Sequence, residues 1–99
     1  MKNETQLQVD LNEDIAEGTY ANLAVIAHST SEFVFDFVRM MPGVAKAKVK
    51  SRIVMTPEHA KRLLAALQDN IMKYEGQFGE IRMPDLGGRM PVPMFKGEA

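Results

Sequence analysis

Three stretches in the first half of the chain carry the residue pattern of β-strands. In residues 7–11, apolar positions alternate with polar ones, which is the period of a half-buried strand. Residues 20–28 and 33–41 are rich in the aromatic and β-branched residues that strands favour. A short polar loop, residues 29–32, connects the last two stretches, so the pattern predicts a hairpin.

A four-residue loop fixes which residues face each other in this hairpin. The predicted pairs are His28–Phe33, Ala27–Val34, Ile26–Phe35, Val25–Asp36, Ala24–Phe37, Leu23–Val38 and Asn22–Arg39. A three-residue loop would change the pairs but leave both faces apolar. Both faces of the hairpin are then apolar, and one helix can cover only one of them. Because a monomer rarely exposes a large contiguous apolar patch, we predict that a second copy or another protein covers the other face. The residues of that predicted interaction face are Leu23, Val25, Val34, Asp36 and Val38.

The middle of the chain predicts a break and a further strand. Pro42 and Gly43 end the preceding strand, because proline lacks the backbone donor and glycine favours a turn. Residues 46–55 alternate again, with Lys48, Lys50 and Arg52 on the polar positions, which predicts a strand with one basic face.

Residues 56–78 carry the clearest helical pattern. Thr56 is typical of an N-cap, Pro57 suits the first helical position, and Glu58 suits the positive end of the helix dipole. Gly76 is a candidate for the end of the helix, although Phe78 continues the apolar stripe beyond it. Apolar residues recur at spacings of three and four and form one stripe: Ala60, Leu63, Leu64, Leu67, Ile71, Tyr74 and Phe78.

The order of the elements predicts a single α+β domain over residues 1–78. It consists of an antiparallel sheet of about four strands, with one long C-terminal helix packed on one face. Residues 79–99 contain three prolines and four glycines without a periodic pattern, and we expect a flexible tail there.

The length and composition favour an oligomer. A domain of 99 residues has a small core, and the absence of cysteine excludes disulfides and thiolate metal sites. Self-association, with a dimer favoured, is the remaining source of stability.

The polar N-terminal stretch and the lack of 18 consecutive apolar residues predict no membrane partner and a cytoplasmic location.

Charge is distributed in blocks along the chain, although the net charge is −1. Residues 1–36 hold seven acids against one lysine, a net −6, and residues 39–62 hold seven bases against one glutamate, a net +6. The bases at 46, 48, 50 and 52 suggest contact with nucleic-acid phosphates, with an acidic protein surface, or with the acidic N-terminal third of a neighbouring copy. Lysines that protect an edge strand from aggregation would give the same pattern. The candidate nucleic-acid residues are Lys46, Lys48, Lys50 and Arg52.

The polar residues of the hairpin offer little chemistry. His28, Ser29 and Asp36 are the residue types of a nucleophile triad, but the glycines of a nucleophile elbow are missing. Neither His28 nor His59 has a carboxylate at metal-ligand spacing. We therefore predict no catalytic residue, no metal and no cofactor, and interpret His28 as a residue at the mouth of the turn.

The chain contains the stretches "YANLAVIAHSTSEFVFDFVRMMPG" and "AKAKVKSRIVMTPEHAKRLLAALQDNIMKYE". Together they resemble a small prokaryotic family catalogued as domain-of-unknown-function 3467. The resemblance covers about residues 10–75. It implies a short protein without evident enzymatic residues. The family's genes often neighbour those for the large RNA polymerase subunits, which implies an accessory role in transcription with polymerase subunits as partners.

Four residues of the resembling stretches are polar where packing alone would favour apolar side chains. They are His28, Glu32, Asp36 and Arg52. We predict a polar network of His28, Glu32 and Arg52. A buried Asp36 would need a cationic partner, for which Arg39 and Lys48 are the candidates.

Overall fold

The computed structural model describes residues 6–84, which form a three-stranded antiparallel sheet followed by one long helix. The central strand is β2, with β1 and β3 on either side. The predicted α+β class is confirmed, with three strands in place of four. The elements in chain order are α1 (Glu13–Ala16), β1 (Leu23–His28), β2 (Phe33–Arg39), β3 (Lys48–Met55) and α2 (Pro57–Phe78).

The strand predicted over residues 7–11 is wrong, because this stretch has no regular secondary structure. Leu7, Val9 and Leu11 are all exposed. A strand persists only when its backbone groups pair with a neighbour, and local alternation does not supply that neighbour. The chain instead makes the single helical turn α1, whose first carbonyl, that of Asn12, accepts from the Ala16 N–H at 2.9 Å.

The hairpin of β1 and β2 has the predicted register in six of the seven pairs, from Leu23–Val38 to His28–Phe33. The seventh predicted pair, Asn22–Arg39, is not part of the ladder, because β1 begins at Leu23. Its loop is closed by hydrogen bonds to Ser29. The Ser29 N–H donates to the Glu32 carbonyl at 2.9 Å, and the Ser29 Oγ accepts from the Ser31 and Glu32 N–H groups at 3.1 and 3.2 Å. The polar loop residues therefore set the register of the apolar strands.

A tight turn and a side-chain clamp close the far end of β2. The Val44 N–H donates to the Met41 carbonyl at 3.2 Å, and Gly43 has a φ of 78°, which favours glycine. The Asn22 side chain binds both backbone polar groups of Met40, at 2.8 and 3.0 Å. Asn22 thereby extends the contact between β1 and β2 beyond the regular ladder.

The pairing of β2 with β3 contains a register shift between Phe37 and Val38. Phe37 lies opposite Ser51, but Val38 lies opposite Val49, so Lys50 is an extra residue in β3. The prediction from regular alternation assumed that every residue of β3 pairs with one residue of β2. The shift moves Val49 to the side of the sheet opposite to the predicted one.

Helix α2 begins where the sequence predicts and ends at Phe78, the last residue of the predicted stripe. The Thr56 Oγ1 accepts from the His59 N–H at 3.3 Å, and Pro57 occupies the first helical position. Gly76, the candidate for the end of the helix, lies inside it. Gly79 ends it instead, since its φ of 99° is a conformation that only glycine adopts without strain.

Burial within the described residues is concentrated on β2. Its Phe35 and Val38 are the buried apolar residues of this part of the chain, at 7 % and 5 % exposure. Helix α2 contacts the sheet sparsely, through β3, and none of its residues is buried. The helix thus follows the sheet without forming the layer over one face that we expected.

Candidate interaction surface

The register brings the five predicted interaction residues to one side of the sheet. Val25 lies opposite Asp36 and Leu23 opposite Val38. Asp36 and Val38 are buried, and the other three members are half-buried. We call this side the aspartate face; its predicted members are Leu23, Val25, Val34, Asp36 and Val38.

Asp36 forms an ion pair with Arg52 on the aspartate face. The Arg52 Nε donates to Oδ1 at 2.7 Å and the Arg52 Nη2 to Oδ2 at 2.8 Å, which is a bidentate arrangement. Asp36 is 3 % exposed, whereas the Arg52 side chain is 60 % exposed. The candidates Arg39 and Lys48 were wrong, because the register places Arg52 directly opposite Asp36.

The electrostatics of Asp36 follow from this contact. The hydrogen bonds from Arg52 lower the pKa of the Asp36 carboxyl below its ordinary value. Burial acts against this by raising the pKa, and the positive charge of Arg52 adds to the lowering. Asp36 is therefore a carboxylate at neutral pH, held in a fixed orientation within an apolar face.

The opposite side of the sheet carries a row of stacked rings. The ring centroids of His28 and Phe33 are 5.3 Å apart, those of Phe33 and Phe35 are 6.4 Å apart, and those of Phe35 and Phe37 are 6.5 Å apart. We call this side the phenylalanine face. Ile26 lies opposite Phe35 on it and is exposed. Both sides of the sheet therefore present apolar surface.

The predicted polar network of His28, Glu32 and Arg52 is not brought together. Alternate residues of a strand point to opposite sides of a sheet. His28 is on the phenylalanine face and Arg52 is on the aspartate face, while Glu32 belongs to the loop and contacts Ser29 through its backbone.

The residues of a nucleophile triad are also separated. His28 and Asp36 lie on opposite sides of the sheet, and the Ser29 hydroxyl oxygen accepts from two backbone N–H groups of the loop. Within residues 6–84, no group of three or more histidine or carboxylate side chains is placed to hold a metal ion.

The predicted basic row is divided by the register shift. Lys46 precedes β3, Lys48 lies opposite Arg39, and Lys50 is the extra residue of the bulge. Arg52 is engaged with Asp36. All three lysines are exposed, but the four bases do not follow one another along a single side of the strand.

The apolar stripe of α2 is the third uncovered surface. Each of its six large residues has more than a third of its surface exposed, for instance Leu64 with 58 % and Phe78 with 67 %. The other side of the helix carries the ion pairs Arg62–Glu58 at 2.8 Å and Lys73–Asp69 at 3.1 Å. The helix is therefore amphipathic without an apolar layer over its stripe.

The model of a family described as "Protein of unknown function (DUF3467)" matches residues 1–83 of the chain. No curated protein matches the chain, and no solved structure does. Among the described residues, no helix combines the length and the apolar character needed to cross a membrane.

Proposed function

The chain belongs to the DUF3467 family of proteins of unknown function, and on that premise we propose that it is a non-enzymatic protein-interaction module that works as a self-associated assembly. The observation that supports this is the scarcity of buried apolar side chains. Within residues 6–84, only two apolar residues, Phe35 and Val38, are buried, while both sheet sides and the helix stripe are uncovered.

Large apolar residues stay exposed on each of these surfaces. Ile26 on the phenylalanine face is 55 % exposed, Val54 on the aspartate face 50 %, and Leu64 on the helix stripe 58 %. A monomer rarely leaves contiguous apolar patches of this kind in contact with water.

We assign the aspartate face to contact with a second copy, with a dimer favoured. Its valines and leucine supply apolar area, and the ion pair of Asp36 and Arg52 supplies a polar group in a fixed position. The Arg52 side chain is 60 % exposed, and a partner that covers it must not bury its guanidinium donors without acceptors, so the pair restricts how two apolar surfaces can align. The remaining surface is then available for docking on a larger complex.

Light scattering at micromolar concentration tests the self-association. We expect a mass of at least two chains for the unaltered protein and a monomer for Val25→Arg, which places a charge on the aspartate face. Ile26→Arg is the matched control, since it places the same charge on the phenylalanine face of the same strand. A monomeric unaltered protein would refute the proposal.

The larger complex that we propose is bacterial RNA polymerase in the cytoplasm. Affinity capture of the tagged full chain from its native cells, followed by mass spectrometry, tests this partner. We expect enrichment of the large polymerase subunits over a capture with the tag alone. Capture without polymerase subunits would remove this partner and leave the self-association standing.

Nucleic-acid binding through residues 46–52 is the second candidate function. The observation in its favour is the set of exposed lysines, Lys46, Lys48 and Lys50, around the bulge of β3. Phosphate contacts by these lysines predict salt-dependent retention on immobilised DNA or RNA. The variant Lys48→Glu with Lys50→Glu should abolish that retention, and unchanged retention would exclude this candidate.

A further inference from the structure

The stripe of α2 has the spacing of a coiled-coil seam. Six of its residues follow one another at intervals of four and three, over two and a half heptads. We propose that α2 pairs in antiparallel orientation with α2 of a second copy. We call these residues the helix seam: Ala60, Leu64, Leu67, Ile71, Tyr74 and Phe78.

The distribution of charge around α2 agrees with a paired helix. The four residues of its two ion pairs, Glu58, Arg62, Asp69 and Lys73, all lie at heptad positions that face away from the seam. Neutral residues, among them Gln68 and Asn70, flank the centre of the seam. The charged side of α2 is thereby left for solvent, and the apolar side is left for a partner helix.

An antiparallel arrangement matches large residues with small ones. When two identical helices run in opposite directions, facing residues have numbers with a constant sum. A sum of 138 places Leu67 against Ile71, Leu64 against Tyr74, and Ala60 against Phe78 of the other copy. The smallest residue of the seam therefore meets one of the two largest, so the layers keep a similar total volume, as close packing requires.

The residues beside the seam favour the same orientation. In the antiparallel pair, Lys61 lies next to Glu75 of the other copy, and symmetry repeats this contact. The Glu75 Oε2 already accepts from the Ile81 N–H at 3.0 Å, and its carboxylate has further acceptor sites for a lysine. A parallel pair would instead place Asn70 beside Glu75 and Leu63 beside Gln68, so it contains no opposite charges at these positions.

The helix pairing rests on the proposed function for the identity of the partner, which is a second copy of the chain. It adds a location, an orientation and a register that the aspartate face does not supply. It can therefore fail while self-association stands, and the experiments below separate the two.

Distances between spin labels test the orientation of the helices. The chain has no cysteine, so Gln68→Cys and Gln77→Cys each give one labelling site beside the seam. With 1.5 Å of rise per residue and a centre at residue 69, labels at 68 lie side by side, whereas labels at 77 are about 24 Å apart along the axis. A parallel pair would bring the labels together at both positions.

The distance between the labels is measured on each variant, and light scattering on the same samples gives the mass of the assembly. Close labels at 68 and distant labels at 77 support the antiparallel pair. Close labels at both positions, or labels at 68 separated by more than about 35 Å in a protein that still self-associates, overturn it. A monomer in light scattering would instead refute the proposed function on which the pairing rests.

A charge exchange tests the register. Lys61→Glu turns two attractive contacts into repulsive ones and should raise the dissociation constant of the dimer about three- to tenfold. Adding Glu75→Lys restores opposite charges, and we expect it to recover most of the affinity. Lys73→Glu is the matched control, because the same change lies on the solvent side of α2.

The outcome is read from sedimentation at several concentrations. An unchanged dissociation constant for Lys61→Glu would contradict the register. An equal increase of the dissociation constant for Lys61→Glu and Lys73→Glu would contradict it as well. Failure of the double variant to recover affinity would contradict the contact between Lys61 and Glu75.

Discussion

Asp36 shows how one polar residue is accommodated within an apolar strand. A carboxylate that is 3 % exposed is costly to bury unless hydrogen bonds and an opposite charge compensate. Arg52 supplies both in a bidentate contact, while its own side chain remains 60 % exposed. The pair is therefore half-solvated, and its contribution to stability is smaller than that of a fully buried pair.

Arg52→Ala should destabilise the fold by about 1 to 3 kcal/mol, because it leaves the Asp36 carboxylate buried without its partner. Urea unfolding at a fixed protein concentration measures the loss. Lys50→Ala on the same strand is the control and should change stability by less than about 0.5 kcal/mol. Equal effects of the two substitutions would mean that the ion pair contributes nothing to stability.

The same pair predicts how stability depends on pH. The pKa of Asp36 is lowered in the folded chain, so the unfolded chain takes up this proton first as the pH falls. The stabilisation is therefore complete at neutral pH, and is lost as the pH falls below about 4 towards the folded-state pKa.

Urea unfolding of the unaltered protein and of Asp36→Asn between pH 7 and pH 2.5 measures this effect. We expect the difference in stability between the two proteins to be constant down to about pH 4 and to shrink below it. A difference that stays constant over the whole range would rule out the lowered pKa.

At the scale of the elements, short polar segments decide where the strands and the helix begin and end. Ser29 closes the loop of the hairpin, and the Asn22 side chain binds the backbone of Met40 at the other end. Thr56 starts α2 and Gly79 ends it. The apolar residues of each element are similar to one another, so these polar contacts select one register among several.

The two glycines near the end of α2 should respond in opposite ways to alanine. Gly76 is inside the helix with open space around it, so Gly76→Ala should stabilise the fold by about 0.5 to 1 kcal/mol. Gly79 has a φ of 99°, so Gly79→Ala should destabilise it by about 1 kcal/mol. Thermal unfolding followed by circular dichroism compares the two, and a gain for both would mean that Gly79 does not end the helix.

At the scale of the whole molecule, the surface that remains uncovered determines the behaviour. The sheet is one layer thick, and α2 does not form a second layer over it. Stable domains usually bury the apolar side of each element against another layer. A second copy that supplies the missing layer makes stability depend on association.

The melting temperature should therefore rise with protein concentration. Dilution favours the separated chains, whose uncovered surfaces leave them less stable. Scanning calorimetry or circular dichroism over a hundredfold range of concentration measures the shift. Val25→Arg should melt at a lower temperature that does not depend on concentration, and a concentration-independent melting temperature for the unaltered protein would argue against coupled folding and association.

The sequence by itself determined the hairpin and the start of the helix. All six pairs from Leu23–Val38 to His28–Phe33 followed from a four-residue loop, because loop length and alternation of side chains are local properties. The N-cap at Thr56 and the apolar stripe of α2 are local in the same sense. The family resemblance rests on these same stretches, and the family is confirmed.

Only the tertiary structure decided which elements meet. It left residues 7–11 without a strand, placed the bulge at Lys50, and gave Asp36 the partner Arg52, which is 16 residues away in the chain. It also left the stripe of α2 uncovered. Each outcome depends on contacts between segments that are distant in sequence, where the geometry of the whole sheet outweighs local pattern.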